Sequence, residues 1–87
     1  MSVDASQSEI FLVVQRVIAT VAKIPPSAVK LENPVTGLAN VDSIVLLEIV
    51  ARTELELDIE IDEEELFNIN TVGDFVAACQ ELTASNA

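Results

Sequence analysis

The chain contains no histidine, tryptophan or tyrosine, and only three of its 87 residues are phenylalanine. It therefore lacks an imidazole for acid–base catalysis or for a histidine-containing metal site, and it has few rings for aromatic stacking. Only four residues are basic against fifteen acidic ones, so the formal net charge is −11. Such a field repels nucleic acid and attracts basic protein surfaces. This inventory predicts neither a self-sufficient enzyme nor a nucleic-acid-binding protein.

Cysteine is nearly absent as well. The single Cys79 excludes an internal disulfide framework and is typical of a reducing compartment. Residues 1–8 lack the basic region and apolar run of a signal peptide, and no apolar stretch approaches the length of a membrane span. A chain of this length has room for one modest core. We therefore expect residues 1–87 to form a single, monomeric, cytoplasmic domain that does not bind membranes.

The first helix is predicted over about residues 7–22, because apolar residues recur there at the three-and-four spacing of one helical face. These residues are Ile10, Val13, Val14, Val17, Ile18 and Val21. Ser6 followed by Glu9 has the spacing of a capping box, and the pair Pro25-Pro26 ends the helix. A long loop with several turn residues follows and continues to Val41.

Further helices are predicted in the last third of the chain. Thr71 and Asp74 have capping-box spacing and open a helix over about residues 71–82, after which the tail is predicted to fray. The apolar face of this helix consists of Val72, Phe75, Val76, Cys79 and Leu82. A short helix over about residues 62–68 is expected to start with Asp62 as its N-cap. Three glutamates follow, in the first turn, where the helix dipole favours negative charge.

Residues 55–62 alternate apolar and acidic side chains, a pattern that is typical of a half-buried strand. A single strand would have no partner, so we predict an extended loop over residues 58–61 instead. Together with a helix over residues 43–57, these elements predict an all-α fold. It is a small four-helix bundle with a long loop between the first and second helices and a short third helix.

The acidic loop also suggests the hypothesis of a calcium-binding site. Asp58, Glu60 and Asp62 alternate like the first three ligands of an EF-hand loop. The match fails at two later positions: Glu63 stands where the sharp turn needs glycine, and Ile69 stands where the loop needs a bidentate glutamate. A calcium-binding module is therefore not favoured.

The second helix carries two apolar stripes. Asp42 is its predicted N-cap, which places Ser43 in the first turn. The stripe expected to face the core consists of Leu46, Ile49, Val50, Thr53 and Leu57. The opposite stripe, here called the outer stripe, consists of Ile44, Leu47, Ala51 and Leu55. A small bundle cannot easily bury both, so the outer stripe either packs under the long loop or forms an exposed interaction surface.

Acidic residues surround the outer stripe. Ten of the fifteen acids lie between Asp42 and Glu65, where Arg52 is the only basic residue. This charge favours a protein partner that places Lys or Arg around an apolar depression.

Ser43 is the candidate for modification. A hydroxyl in the first turn of a helix is expected to be exposed, and a phosphodiester on it would lie near free backbone N–H groups and the positive end of the dipole. Without histidine in the chain, Ser43 cannot belong to a histidine-containing triad. Another enzyme must therefore carry out any modification. The alternative is that this serine only contributes to the helix start.

Asp42-Ser43-Ile44 resembles the start of the second helix in the acyl carrier protein family, where Asp-Ser-Leu or Asp-Ser-Ile occurs. The resemblance extends from the first helix through residues 55–65 to residues 70–75. It implies that Ser43 receives 4′-phosphopantetheine and that Asp42 helps to place the serine and the phosphate. The residues implied to meet partner enzymes are Ile44, Leu47, Glu48 and Ala51, to which the outer stripe adds Leu55.

Membership of this family would make the chain a carrier of acyl groups, held as thioesters, rather than an enzyme. The implied partners are a phosphopantetheinyl transferase and an acyl- or aminoacyl-loading enzyme, ketosynthase or acyltransferase with a basic, apolar-centred docking surface. The acyl chain is expected to lie between the second and third helices or to stay on the surface. Cys79 could in principle hold a thioester itself, but its place on an apolar helix face predicts a buried structural thiol.

The chain departs from the family pattern around Ser43. Asn40 stands where the family usually has glycine, and asparagine is the non-glycine residue that best tolerates a left-handed backbone. Val45 and Leu55 stand where fatty-acid carriers commonly have acids, and Arg52 adds a positive charge. These departures favour a discrete carrier of polyketide or hybrid polyketide/nonribosomal peptide biosynthesis.

Other hypotheses stay open. An aminoacyl or peptidyl carrier and a fatty-acid synthase carrier are alternatives within the family. An acidic helical adaptor that binds through the outer stripe without a prosthetic group is the alternative of another class. Substitution of Ser43 distinguishes the adaptor from the carriers, because only a carrier needs its hydroxyl.

Overall fold

The computed structural model describes residues 7–38 and 40–85, and these residues form a small bundle of four α-helices without a β-strand. The helices are α1 (Gln7–Ala22), α2 (Ser43–Leu57), α3 (Glu63–Phe67) and α4 (Val72–Ser85). Short 3₁₀ turns at Pro26–Ala28 and Val35–Gly37 interrupt the long loop between α1 and α2. The predicted all-α fold with a short third helix is confirmed. The predicted capping residue Ser6 lies outside the described residues.

One apolar core lies between α1, α2 and α4. The faces predicted from periodicity are the faces that the core buries, with Ile10, Val14 and Ile18 from α1, Ile49 and Val50 from α2, and Val72, Phe75 and Val76 from α4. Thr53 is the polar member of this group, and it is fully buried. Its hydroxyl donates to the carbonyl of Ile49 at 2.8 Å, so its burial does not leave an unpaired donor. No helix among residues 7–38 and 40–85 is both long and apolar enough to cross a bilayer.

α1 ends at Ala22, just before Lys23, which has a left-handed backbone and precedes Pro25 and Pro26. Lys23 has φ 59°, and the N–H of Ile24 donates to the carbonyl of Ala19 at 3.1 Å. This pattern is the Schellman closure of a helix end. Pro25 and Pro26 follow it, where neither could continue the helix. The helix therefore has a fixed end that later residues of the loop can contact.

The segment after α2 is an extended loop, as predicted. Asp58 has φ 55°, and the N–H of Ile59 donates to the carbonyl of Glu54 at 3.1 Å. The Glu54 carboxylate also accepts the N–H of Ile61 at 2.7 Å. Ile59 and Ile61 are buried and Glu60 is exposed. The strand-like alternation thus reflects a half-buried loop that is held by the end of α2.

The structure corrects two details of the predicted helix ends. Asp62 is the N-cap residue of α3, as predicted, but its side chain makes no cap hydrogen bond, and its carbonyl accepts the N–H of Glu65 at 3.0 Å. The fourth helix, predicted to fray from Thr83, instead continues to Ser85. The Thr83 hydroxyl donates to the Cys79 carbonyl at 2.8 Å and so adds a side-chain hydrogen bond to the last turns.

Main-chain hydrogen bonds fasten the long loop to the start of α4. The N–H of Val72 donates to the carbonyl of Asn33 at 2.9 Å, and the N–H of Gly73 donates to the carbonyl of Leu31 at 2.8 Å. A Cβ at Gly73 would lie 3.2 Å from the Leu31 oxygen, so the absence of a side chain permits this close approach. The loop that leads to Ser43 is therefore anchored on the bundle.

α4 begins with the predicted capping box. The Asp74 N–H donates to the Thr71 hydroxyl at 3.1 Å, and one Asp74 carboxylate oxygen accepts the N–H groups of Thr71 and Asn70, each at 3.1 Å. The backbone hydrogen bonds from Thr71 and then Asn70 favour the charged carboxylate and lower the pKa of Asp74.

This lowered pKa predicts a pH dependence of stability. The Asp74 carboxylate stabilises the fold above its unfolded-state pKa, and this contribution is lost as the pH falls through the lower, folded-state pKa. We expect Asp74→Asn to melt below the wild type at neutral pH, and we expect the difference to shrink on acidification. Melting followed by far-UV circular dichroism over a pH series measures this. A difference that stays constant down to acidic pH would contradict the prediction.

Candidate functional site

The start of α2 presents Ser43 to solvent. Asp42 is the N-cap, with an extended backbone, and its carboxylate accepts the N–H of Val45 at 2.8 Å. Its carbonyl accepts the N–H of Leu46 at 2.9 Å. The N-cap predicted for α2 is therefore confirmed. Ser43 follows as the first helical residue, and its side chain is exposed.

The backbone at this helix end offers hydrogen-bond donors to an anion on Ser43. The N–H groups of Ser43 and Ile44 belong to the first turn, where no carbonyl of the same helix can accept them. They and the dipole of the 15-residue α2 favour a negative group here, whereas the carboxylates of Asp42 and Glu63 near the same site oppose it. At an exposed helix end the dipole stabilises a negative group by about 0.3–1 kcal/mol.

An apolar groove of about 370 Å³ begins at Ser43 and runs between α2 and α3. We call it the Ser43 groove, and it is lined by Ser43, Leu46, Leu47, Glu63, Leu66 and Phe67. Phe67 is 83% exposed, and Leu47 is 60% exposed. Such large apolar side chains in water favour contact with a second apolar group. The groove therefore offers an apolar binding surface next to the exposed hydroxyl.

The α3 residues of the groove were not among the residues predicted from the sequence. One feature of the sequence could have indicated them: the adjacent apolar residues Leu66 and Phe67 end a very short helix. The side chains of adjacent helical residues point about 100° apart, so Leu66 and Phe67 cannot both face the core. Leu66 packs partly against the core, whereas Phe67 points outwards.

The outer stripe of α2 is exposed along the helix. Ile44 is 77% exposed, Leu47 60% and Leu55 84%, and Ala51 is exposed as well. The alternative in which Leu47 and Leu55 pack under the long loop is therefore wrong. The structure places these four residues on one helix face with Ser43 at its start.

Ion pairs lie beside the outer stripe. A Glu48 carboxylate oxygen lies 3.6 Å from Arg52 Nε on the same helix, and Arg16 of α1 donates to Glu56 at 2.8 Å. The hydrogen bond and the charge of Arg16 lower the pKa of Glu56. Exposed pairs of this kind contribute little stability. They do offset acidic charge along α2, so the surface beside the outer stripe is less negative than the sequence alone indicates.

Asn40 has φ 65°, the left-handed conformation that its position was expected to require. Its side chain adds an interaction that glycine could not make. Asn40 Nδ2 donates to the carbonyl of Ala22, the last residue of α1, at 3.0 Å. The segment that leads to Ser43 is thus joined to the end of another helix.

Cys79 is buried and is not positioned to hold a thioester. Its side chain is fully buried in the core face of α4, and burial, with smaller contributions from the charges of Glu65 and Glu54, raises the pKa of its thiol to about 12. A thiol with this pKa is protonated at neutral pH and is a poor nucleophile. The prediction of a buried structural thiol is confirmed.

Comparison with known proteins agrees with this geometry. A family model described as "Phosphopantetheine attachment site" matches residues 13–79. The meromycolate extension acyl carrier protein of Mycolicibacterium aurum is 37% identical over 82 residues, which cover 94% of this chain and 84% of that protein. The acyl carrier protein of Rhodococcus erythropolis is 32% identical over 82 residues, with coverages of 94% and 90%. That of Acidothermus cellulolyticus is 35% identical over 80 residues, with coverages of 92% and 95%.

The match to the family model includes the whole of α2 and α3. The similarity to these relatives extends over nearly the full length of both chains. The helical bundle agrees with the fold that the resemblance implied. The chain therefore belongs to the acyl carrier protein family: it carries acyl groups by means of 4′-phosphopantetheine and is not itself an enzyme.

Proposed function

We propose that residues 1–87 act as one carrier domain in which 4′-phosphopantetheine is attached to the hydroxyl of Ser43. The observation that carries this proposal is the exposed Ser43 at the capped start of α2, beside an apolar groove. When bound, the prosthetic group supplies a thiol that holds the acyl group as a thioester on a long tether. A tether of this kind raises the effective concentration of its cargo at successive partner active sites.

The residues around Ser43 fit this group. Asp42 uses its carboxylate to cap α2, which holds the helix start and therefore the serine in place. The first-turn N–H groups of Ser43 and Ile44 are available to a phosphate at this helix end. The chain has no histidine to activate the serine, so a separate phosphopantetheinyl transferase is the expected partner for attachment.

The Ser43 groove is the proposed resting place for part of the acyl chain. Leu46, Leu47, Leu66 and Phe67 make most of its surface apolar. Removal of each methylene from water contributes about 0.8 kcal/mol, so an alkyl chain gains from lying along these residues. Because the groove is open to solvent, the cargo can leave it when a partner enzyme binds.

The outer stripe, with Glu48 beside it, is the proposed docking surface for partner enzymes. Candidate partners are the transferase, an acyl- or aminoacyl-loading enzyme, a ketosynthase and an acyltransferase. Such a partner would offer an apolar depression with basic residues around it. Because Arg52 and Arg16 offset part of the charge along α2, apolar contact with Ile44 and Leu55 supplies a large share of the interaction. The chain would act as a monomer, which leaves this face free.

For the pathway, we propose polyketide or hybrid polyketide/nonribosomal peptide biosynthesis, on the basis of the departures in α2. These departures differ in their exposure to solvent. Val45 packs partly against the core, whereas Leu55 is 84% exposed and Arg52 is exposed beside it. Leu55 and Arg52 therefore carry this part of the proposal. A second candidate is the extension of long fatty acyl chains, which the similarity to meromycolate extension acyl carrier proteins favours.

Intact mass spectrometry tests the proposed function. The purified chain is incubated with coenzyme A and a broad-specificity phosphopantetheinyl transferase, and the mass is expected to increase by one phosphopantetheine unit. Loading the product with malonyl, long-chain acyl and aminoacyl groups then compares the candidate cargoes. If the folded chain gains no mass with several transferases, the carrier proposal is wrong and the adaptor without a prosthetic group is favoured.

A further inference from the structure

The residues that precede Ser43 form a connected set of fixed contacts. Asn40 Nδ2 donates to the Ala22 carbonyl at 3.0 Å. Val41 is buried, and its N–H donates to the carbonyl of Leu38 at 3.2 Å. Asp42 then caps α2. Asn40 is thus held by the end of α1, Val41 by its burial in the core and by a bond within the loop, and Asp42 by the start of α2.

The contact of Asn40 has two consequences. The Ala22 carbonyl belongs to the last turn of α1, where carbonyl groups lack partners within the helix. The Asn40 amide satisfies this carbonyl, and it also joins residues that are 18 positions apart in the chain. The end of α1, closed by its Schellman motif, provides a rigid point of attachment.

The left-handed backbone at position 40 would be adopted at least as easily by glycine as by asparagine. Glycine would adopt φ 65° without strain, whereas a non-glycine residue pays a steric penalty there. The side-chain amide is what asparagine adds to this position. Its hydrogen bond fixes the loop in a way that the left-handed backbone does not.

We propose that Asn40 is a positioning residue whose amide, by joining the loop to the end of α1, holds Asp42 and Ser43 in the arrangement that a phosphopantetheinyl transferase binds. This inference rests on the proposed function of Ser43. The apparent affinity of the transferase falls with the population of the competent arrangement. Loss of one hydrogen bond shifts such an equilibrium by about two- to twelvefold, and this shift is the upper limit of the change in apparent affinity.

Asn40→Gly is the informative variant, since it keeps the left-handed backbone and removes the amide. We expect the transferase KM for this chain to rise about two- to fivefold, with kcat unchanged. The N–H groups of Val41 and Val45 should also exchange with solvent faster. Asn40→Asp has nearly the same shape, but an ionised carboxylate cannot donate to the Ala22 carbonyl. It should therefore raise KM at least as much as Asn40→Gly.

Gln15→Ala is the matched control. Gln15 Nε2 donates to the carbonyl groups of Pro26 at 2.8 Å and Val29 at 3.1 Å, so this variant removes hydrogen bonds from the opposite end of the same loop. It should lower the melting temperature and leave KM unchanged. An unchanged KM in Asn40→Gly, or an equal rise in Gln15→Ala, would overturn the inference alone. A wild-type chain that gains no phosphopantetheine would overturn the proposed function and the inference with it.

Discussion

Ser43→Ala should abolish the addition of phosphopantetheine and leave the helical fold intact. The substitution removes the only atom of this side chain that can form the phosphodiester. The fold should tolerate it, because the cap of α2 is formed by Asp42 and the Ser43 side chain is exposed. Alanine is also favourable within a helix. Intact mass after incubation with coenzyme A and a transferase measures the first effect, and far-UV circular dichroism measures the second.

A second serine supplies the control. Ser27 is exposed in the 3₁₀ turn Pro26–Ala28 of the long loop, so Ser27→Ala tests whether any accessible serine is sufficient. This variant should gain one phosphopantetheine unit like the wild type. If Ser43→Ala still gained the unit, attachment would lie at another residue and the assignment of Ser43 would be wrong.

Phe75→Ala should lower the free energy of unfolding by about 3–5 kcal/mol, the cost typical of removing a buried ring. Phe75 is 1% exposed on the core face of α4. Phe67→Ala removes the same atoms from a ring that is 83% exposed, and it should change stability by no more than about 0.5 kcal/mol. Urea unfolding followed by far-UV circular dichroism measures both, since the chain has no tryptophan or tyrosine to report.

The same pair of variants separates the core from the Ser43 groove. If the groove holds the acyl chain, loading with a long acyl group should raise the melting temperature of the wild type. The increase should be smaller in Phe67→Ala, because this variant removes one apolar wall of the groove. Equal destabilisation by the two substitutions would contradict the assignment of Phe75 to the core and Phe67 to the groove.

Periodicity was sufficient to predict the helical part of the core, because α1, α2 and α4 each bury one face against the same centre. It did not predict the buried loop residues Val29, Val35 and Val41. Ile18, Ile49 and Phe75 are fully or almost fully buried, as their spacing indicated. The exposed start of α2 was equally predictable, since the N-cap depends on residues that are adjacent in the chain. Local interactions of this kind leave a readable signal in one sequence.

Contacts between segments that are distant in the chain could not be predicted from the spacing of residues. The amide of Asn40 reaches Ala22 only because the loop folds back over the end of α1. The carboxylate of Glu54 reaches Ile61 only because α2 ends in a left-handed turn. These hydrogen bonds depend on how helices are arranged in space, and spacing along the chain does not reveal that arrangement. The same limit applies to the outward ring of Phe67.

α3 is held at both of its ends, but none of its five residues is fully buried. Before it, the Ile59 N–H is bonded to the Glu54 carbonyl, and after it the Val35 N–H is bonded to the Asn70 carbonyl at 2.9 Å. Residues 62–68 can therefore open as a local unit at a small free-energy cost, while Ile59 and Ile61 stay in the core and the rest of the bundle stays folded. Amide exchange in α3 should accordingly be faster than in α1. Cargo of different lengths would then be accommodated by displacement of this segment, without global unfolding.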